Sequence, residues 1–150
     1  MGMAKRNVKR ERGEGRGTLR GLPASLPPLV RAYRLQELAA GVGFDWPDAR
    51  GPLEKVKEEV RELEAELSSE RTAPRSPLPA VQEEVGDLLF AVVNLARKLD
   101  IDPEAALARA NDKFTRRFGE VERLAAERGL EVGRASLEEL DQLWDEVKRR

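Results

Sequence analysis

Two clusters of carboxylates at helical spacing are the residues of this chain best suited to chemistry. The clusters are Glu58, Glu59 and Glu62 in KVKEEVREL, and Glu83, Glu84 and Asp87 in VQEEVGDLLF. Residues three apart share a helix face, so Glu59 with Glu62, and Glu84 with Asp87, each form a pair of carboxylates. If the two helices pack together, four carboxylates point into one space. Such a concentration of charge needs a cation, and Mg²⁺ is the usual one.

Each cluster alone would also fit an ordinary acidic face in contact with solvent. Two observations favour a metal site: both clusters border apolar stripes, and both occupy consecutive helices joined by a loop, which favours antiparallel neighbours. Without a metal the four carboxylates would repel one another, and the pKa of at least one would rise. Because Mg²⁺ tends to share phosphate oxygens with protein ligands, the pattern indicates metal-assisted phosphoryl or nucleotidyl transfer with water as the nucleophile.

The later part of the chain offers cations that could hold the phosphates. Lys113 and Arg117 are four residues apart and share a helix face, although an ordinary basic face paired with Glu120 fits the spacing equally well. Trp144 and Lys148 stand in the same relation. A nucleobase could stack on Trp144, but a tryptophan in an apolar stripe more often belongs to a core.

Composition narrows the chemistry to these groups. The 150 residues contain no Cys and no His, which excludes disulfides, thiol nucleophiles, Ser-His systems, His-ligated zinc and a ferritin-like di-iron centre. Charged residues make up 37% and aromatic residues 5%, a composition typical of helices. No apolar run approaches membrane-spanning length and no secretory signal is visible, so a cytoplasmic protein with no membrane contact is expected.

The first 25 residues differ from the rest of the chain. Residues 1–22 hold seven Lys or Arg and two Glu, a net charge of +5, whereas the remainder carries −6. Residues 1–25 are therefore predicted to form a disordered basic arm, and residues 26–150 a helical catalytic domain. The arm could contact nucleic acid non-specifically, but a solvated tail or an upstream extension is the favoured interpretation.

The predicted fold is all-α, an antiparallel bundle of about five helices. The first helix starts at Pro27-Pro28 and the second near Pro52. A loop is expected over 68–79, and a central third helix from about Leu78 to Leu99. Asp102 is the expected N-cap of the fourth helix, and Ser136 with Glu139 forms a capping box for the fifth. Broad apolar stripes favour a dimer, although periodicity does not separate a core from a subunit interface. The residues expected to be buried include Val85, Leu89, Val92, Leu107, Phe114 and Phe118.

The motifs together resemble the MazG family of nucleoside triphosphate pyrophosphohydrolases. The strings that carry the resemblance, over about Leu26 to Arg150, are GFDWPD, KVKEEVREL, EEVGDLLFAVVNLARKL, ALARANDKFTRRFGEVE and LDQLWDEVKRR. Many bacterial members have two copies of the domain, and this chain resembles the C-terminal, catalytic copy. The resemblance implies an all-α homodimer or higher homo-oligomer that needs Mg²⁺, with Mn²⁺ as a substitute. It also implies hydrolysis of nucleoside triphosphates between the α and β phosphates. The implied role of this reaction is house-cleaning of the nucleotide pool.

The resemblance also assigns roles to residues. The implied metal ligands are Glu59, Glu62, Glu84 and Asp87; the implied substrate contacts are Lys55, Lys113, Arg117, Trp144 and Lys148, with Glu58 near the nucleotide. Either Glu58 or Glu83 orients or deprotonates the attacking water, and the sequence does not choose between them. The alternatives are a helical nucleotide-binding or regulatory protein without turnover, and a nucleic-acid accessory protein acting through the basic arm. The preferred base and sugar are left open.

Overall fold

The computed structural model describes residues 17–70 and 78–150. These residues form five helices and no strand, which confirms the all-α class. The helices are α1 (Pro28–Gly41), α2 (Arg50–Glu70), α3 (Leu78–Lys98), α4 (Pro103–Glu127) and α5 (Leu137–Lys148). The chain divides into two compact units: one ends at Leu99 and contains α1 to α3, and the other runs from Asp100 to Arg150 and contains α4 and α5.

Helix boundaries follow the sequence signals closely, except in the predicted loop. Residues 68–70, expected in the loop over 68–79, continue α2 instead, and the Ser68 hydroxyl donates to the Glu64 carbonyl at 2.9 Å. Leu78 and Pro79 already belong to α3, because the first turn of a helix tolerates proline. Residues 71–77 of the loop lie outside the described residues.

The predicted basic arm lies largely outside the described part of the chain. Residues 1–16 are not described, whereas Gly17 to Arg20 form a turn in which the Arg20 amide donates to the Gly17 carbonyl at 3.1 Å. The Arg31 guanidinium of α1 donates to the Pro23 carbonyl at 3.1 Å. The chain that leads into α1 is thus held to that helix by a side-chain hydrogen bond.

In the first unit α3 is the central helix, as expected, since it packs against both α1 and α2. Ala91 and Val93 of α3 are buried. The prediction that Val85, Leu89 and Val92 are also buried is wrong for the single chain, because all three are exposed. Periodicity marks an apolar face but not what covers that face.

The second unit is built on the two helix caps that the sequence predicts. The Asp102 carboxylate accepts from the Glu104 amide at 3.0 Å, and the Ser136 hydroxyl accepts from the Glu139 amide at 3.2 Å. Between α4 and α5 the chain turns at Gly129, whose φ of +69° is a left-handed conformation that suits glycine. The core consists of Val121, Leu124, Ala125 and Leu143. A second prediction of burial is wrong for the single chain, because three side chains of α4 are exposed: Leu107, Phe114 and Phe118. Here too, periodicity marked an apolar face without showing what covers it.

A loop before α2 is tied to the end of α3 by Asp45. Its carboxylate accepts from the Arg97 guanidinium and from the Lys98 ammonium, the latter at 3.3 Å, and from the Trp46 amide at 2.8 Å. The hydrogen bond from Arg97 is the main cause that lowers the pKa of Asp45 from 3.8 to about 2, with Trp46 and Lys98 adding to it. The ionised carboxylate therefore stabilises the folded protein.

Asp45→Asn is expected to cost about 1 kcal/mol of unfolding free energy at pH 7. Because the folded pKa is the lower one, the stabilisation by Asp45 is complete above pH 3.8 and is lost as the pH falls towards 2. Denaturant melts of both proteins between pH 7 and pH 2 should show the difference shrinking over that window. A difference that stays constant down to pH 2 would contradict the ion-pair assignment.

Candidate metal centre

Three of the predicted metal ligands converge where α2 packs against α3. Carboxylate oxygens of Glu59, Glu84 and Asp87 all lie within 4.8 Å of one another. Glu59 lies near the middle of α2, and Asp87 lies near the middle of α3. Two helices that run antiparallel bring such positions level with each other. The two acidic clusters therefore meet across the interface of α2 and α3, with Glu59, Glu84 and Asp87 in one group and Glu62 outside it.

Glu59 and Glu84 are more buried than residues of an acidic surface would be, whereas Asp87 is exposed. Glu59 is only 4% exposed, and Oε2 of Glu59 and Oε2 of Glu84 are buried without a hydrogen-bond partner in the described structure. A buried charged oxygen without a partner is strongly unfavourable, so such atoms are rare unless something else satisfies them. The fold therefore holds two carboxylate oxygens ready for a cation.

Glu62 lies at the exposed edge of this group. Coulombic repulsion from Glu59 raises its pKa, with further contributions from a hydrogen bond to Glu59 and from the charge of Glu84. Glu62 lies outside the group of Glu59, Glu84 and Asp87, but the charges of Glu59 and Glu84 act on it.

The residues present fit a hard divalent cation. The donors are carboxylate oxygens alone, and Mg²⁺, Ca²⁺ and Mn²⁺ favour such donors over soft or nitrogen ligands. The unpartnered oxygens of Glu59 and Glu84 are the atoms that a bound ion would satisfy. Glu59, Glu84 and Asp87, with Glu62 at the edge, can therefore hold a metal ion.

Lys55 already balances part of this charge. Its ammonium lies 2.9 Å from Oε1 of Glu59 and 3.4 Å from Oε1 of Glu58, and the hydrogen bond to Glu59 raises the pKa of Lys55. The pairing fixes one oxygen of Glu59 and leaves the other unpartnered. Glu58 and Glu83 are exposed and lie outside the group of three, so a catalytic role for either stays a prediction.

The predicted substrate contacts of the second unit fall into two places. Arg117 and Lys148 line one cavity of about 410 Å³, together with Arg116 and Arg150. Trp144 is partly buried, and its ring centroid lies 5.5 Å from that of Phe114. Lys113 is exposed and lies outside the wall of this cavity. The substrate roles of these residues stay predictions.

Sequence reasoning missed a polar group inside the first unit. Gln36, on α1, is 6% exposed, so its amide is buried. The Asp45–Arg97 pair joins positions 52 residues apart. The GFDWPD motif contains Asp45 and was a signal for this region, but nothing in its spacing pointed to Arg97. A buried glutamine has no periodic signature at all.

Comparison with known proteins agrees with this geometry. Residues 51–121 match the family model described as "MazG nucleotide pyrophosphohydrolase domain", a range that includes all four predicted metal ligands. In the described residues, moreover, no helix is both long and apolar enough to cross a membrane.

Two curated relatives resemble most of the chain. The nucleoside triphosphate pyrophosphohydrolase of Escherichia coli is 46% identical over 129 residues, which is 86% of this chain and 48% of the relative. The nucleoside triphosphate pyrophosphohydrolase/pyrophosphatase MazG of Thermotoga maritima is 44% identical over 123 residues, 82% of this chain and 45% of the relative. The chain thus spans about half the length of these relatives. The family model and the carboxylate geometry thus agree: residues 51–121 are similar to a MazG nucleotide pyrophosphohydrolase domain.

Proposed function

We propose that this protein is a Mg²⁺-dependent enzyme that hydrolyses nucleoside triphosphates between the α and β phosphates. The products are a nucleoside monophosphate and pyrophosphate. The observation that carries the proposal is the convergence of Glu59, Glu84 and Asp87, with two of their oxygens buried and unpartnered. The names of the E. coli and T. maritima relatives support the same reaction.

In this proposal Glu59, Glu62, Glu84 and Asp87 hold the metal, and Mn²⁺ substitutes for Mg²⁺. When Mg²⁺ is bound, the chemistry it supplies is neutralisation of phosphate charge and a lowered pKa for the attacking water. The protein holds these carboxylates in place before the substrate arrives, because they sit on two packed helices. Such preorganisation means that little has to move at the moment of reaction.

The remaining predicted residues bind the substrate and move the proton. Lys55 keeps Glu59 oriented through their 2.9 Å ion pair. Lys113, Arg117 and Lys148 hold phosphate oxygens, and Trp144 contacts the nucleoside. Glu58 or Glu83 takes the proton of the attacking water; both are exposed, which suits a group that must return that proton to solvent.

The products test the proposal. ATP is incubated with the protein and Mg²⁺ in ¹⁸O-labelled water, and ³¹P NMR and mass spectrometry identify the products. The expected products are AMP that carries one ¹⁸O and unlabelled pyrophosphate, because water attacks the α phosphorus. ADP with phosphate, or label in pyrophosphate, would refute attack at that atom. Saturable binding of ATP with no product would favour a nucleotide-binding protein instead.

We also propose that the active form is a homodimer. Apolar side chains on α2 and α3 are uncovered in the single chain, namely Val60, Leu67, Val85, Leu89 and Val92. A large exposed apolar surface usually marks an interface. A second copy of the chain is the partner that the family resemblance implies.

Leu89→Glu is expected to convert the dimer into a monomer. Leu89 is 60% exposed, so the fold of the single chain does not depend on it, whereas a buried unpaired carboxylate would disrupt an interface. Sedimentation velocity at micromolar concentration measures the change, with Leu137→Glu on α5, where the leucine is 70% exposed, as the control. A monomeric wild type, or a variant that still dimerises, would contradict the proposal.

A further inference from the structure

The first unit contains a cavity of about 500 Å³ that is lined by none of the residues assigned to the proposed reaction. Most of its wall comes from α1, α3 and the loop between α1 and α2. Leu19 also lines the cavity, although this residue lies ahead of α1 in a segment that belongs to no helix. The volume lies within the range of pockets that bind small molecules. The segment before α1 therefore takes part in forming a pocket of the first unit.

Residues 17–21 form a turn of defined geometry, which we call the strap. The Arg20 amide donates to the Gly17 carbonyl at 3.1 Å and closes the turn. Gly21 follows with a φ of +104°, a left-handed conformation that glycine adopts without strain. A Cβ atom added at Gly21 would meet no neighbouring group within 4 Å, so the backbone conformation alone is what favours glycine there. The position of Leu19 thus depends on the conformation of Gly21.

The chain is fastened to α1 just after the strap. The Pro23 carbonyl accepts from the Arg31 guanidinium at 3.1 Å and from the Leu26 amide at 3.2 Å. These two hydrogen bonds hold the chain two residues beyond Gly21. Since the anchor lies so close to the turn, it keeps the strap beside α1, which forms part of the cavity wall.

Leu19 turns apolar surface towards the cavity. Its side chain lines the cavity, yet the residue is 48% exposed. Removal of apolar surface from water is favourable and requires no particular direction of contact. A ligand in the cavity would cover part of this surface. Leu19 is therefore suited to stabilise a bound ligand.

A polar group in the wall indicates that the cavity takes a ligand. Nε2 of Gln36 donates to the Phe90 carbonyl at 2.9 Å, which fixes the orientation of the amide. Oε1 of Gln36 is buried and has no hydrogen-bond partner within residues 17–70 and 78–150. A buried acceptor without a donor costs free energy that a donor on a ligand would recover. The cavity thus combines the apolar surface of Leu19 with a polar group that needs a partner.

The cavity lies on the same side of α3 as the metal centre. Asp87, Phe90 and Asn94 are spaced by three and then four residues, so they share one face of the helix. At 1.5 Å per residue, Phe90 lies ~4.5 Å and Asn94 ~10.5 Å along the helix axis from Asp87. A nucleoside triphosphate with its phosphates at the carboxylates would therefore extend along this face towards the cavity.

We propose that the strap covers one side of this cavity and retains the substrate there through apolar contact with Leu19. The proposal rests on the proposed function for its class of substrate. Leu19 precedes residues 51–121, which match the family model, so its contact is additional to the carboxylates and cations assigned above. Because Leu19 contacts a part of the substrate that does not react, it slows substrate release without altering the chemical step.

Steady-state kinetics with ATP and Mg²⁺ tests the strap. Leu19→Ala is expected to raise KM roughly threefold to tenfold and to leave kcat unchanged, since truncation removes a contact that ground state and transition state share. Gly21→Ala retains the leucine but strains the turn, so it should raise KM as well. Leu19→Met, which restores a side chain of similar volume, is expected to bring KM to within about twofold of wild type.

Leu53→Ala is the matched control in the same unit. Leu53 is 43% exposed on α2 and is not part of the cavity wall, so its truncation should change neither KM nor kcat. Circular dichroism checks that every variant keeps the helical content of wild type. An unchanged KM in Leu19→Ala would overturn the proposal. A lowered KM would also overturn it, because the strap would then obstruct the cavity instead of retaining the substrate.

Binding without turnover separates the strap from the phosphate site and from the reaction. α,β-Methylene-ATP, in which a methylene group replaces the bridging oxygen between the α and β phosphates, is titrated with Mg²⁺ into the full chain by calorimetry. Leu19→Ala should weaken its binding roughly threefold to tenfold and leave the binding of inorganic tripolyphosphate unchanged. Equal weakening of both ligands would overturn the proposal, because tripolyphosphate has no nucleoside to contact Leu19.

The two measurements also distinguish failure of the strap from failure of the proposed function. If α,β-methylene-ATP binds through Leu19 but ATP is not hydrolysed, the strap stands and the proposed function fails. If ATP is hydrolysed with the same KM in wild type and Leu19→Ala, the proposed function stands and the strap fails. No binding of α,β-methylene-ATP by wild type would overturn the strap.

Discussion

Glu59→Gln is expected to reduce kcat for pyrophosphate release by roughly 10²- to 10³-fold with the helical content unchanged. Glu59 is the most buried member of the carboxylate group, and its Oε2 has no hydrogen-bond partner in the described structure, so a bound cation would satisfy it. Glutamine keeps the shape of the side chain but removes the negative charge. The effect should therefore appear as a loss of activity and of metal affinity, measured by a pyrophosphate assay over a range of Mg²⁺ concentrations.

Glu64→Gln provides the matched control on the same helix. Glu64 is exposed and lies outside the carboxylate group, so its substitution should leave kcat within about twofold of wild type. Circular dichroism of both variants checks the fold. Undiminished pyrophosphate release by Glu59→Gln would exclude this carboxylate from the metal centre.

Leu143→Ala is expected to lower the free energy of unfolding by about 3 kcal/mol, the largest effect on stability that we anticipate. Leu143 is 2% exposed and belongs to the core of the second unit with Val121, Leu124 and Ala125. Truncation removes buried methyl groups and leaves a cavity that two helices do not easily close. Urea unfolding followed by circular dichroism measures the change.

Leu137→Ala makes the same chemical change at a leucine side chain that is exposed to solvent. Leu137 is 70% exposed at the start of α5, so its truncation should cost less than about 0.5 kcal/mol. Equal losses for the two variants would mean that the core of this unit is not where the structure places it. The comparison matters for function because Arg117 and Lys148 line a cavity supported by α4 and α5.

The carboxylate group was predictable from the sequence for two physical reasons. Spacing of three residues on a helix fixes which side chains share a face, and carboxylates at the edge of an apolar stripe are carried towards the helix interface. The caps at Asp102 and Ser136 were predictable in the same way, because each depends on residues two or three positions along the chain. Local rules were sufficient wherever the interacting groups were local or lay on one helix face.

Features that depend on partners distant in sequence were not predictable. The hydrogen bond of Gln36 joins α1 to α3 across 54 residues, and Asp45 reaches Arg97 across 52. No periodicity encodes such pairs. Likewise, Leu89 and Phe114 lie on apolar stripes yet are exposed. An apolar stripe identifies an apolar helix face, but it does not identify the molecule that covers that face. The hydrogen bond of Gln36 therefore emerged only from the packed structure.

Removal and return of the metal tests the central claim most directly. The protein is stripped of divalent ions with EDTA, and pyrophosphate release from an equimolar mixture of NTPs is measured before and after Mg²⁺ is added back. We expect no release from the stripped protein, full release after Mg²⁺ addition, and a higher Mg²⁺ requirement in Asp87→Asn. Equal release with and without Mg²⁺, or no release in either condition, would contradict a metal-dependent pyrophosphohydrolase built on these carboxylates.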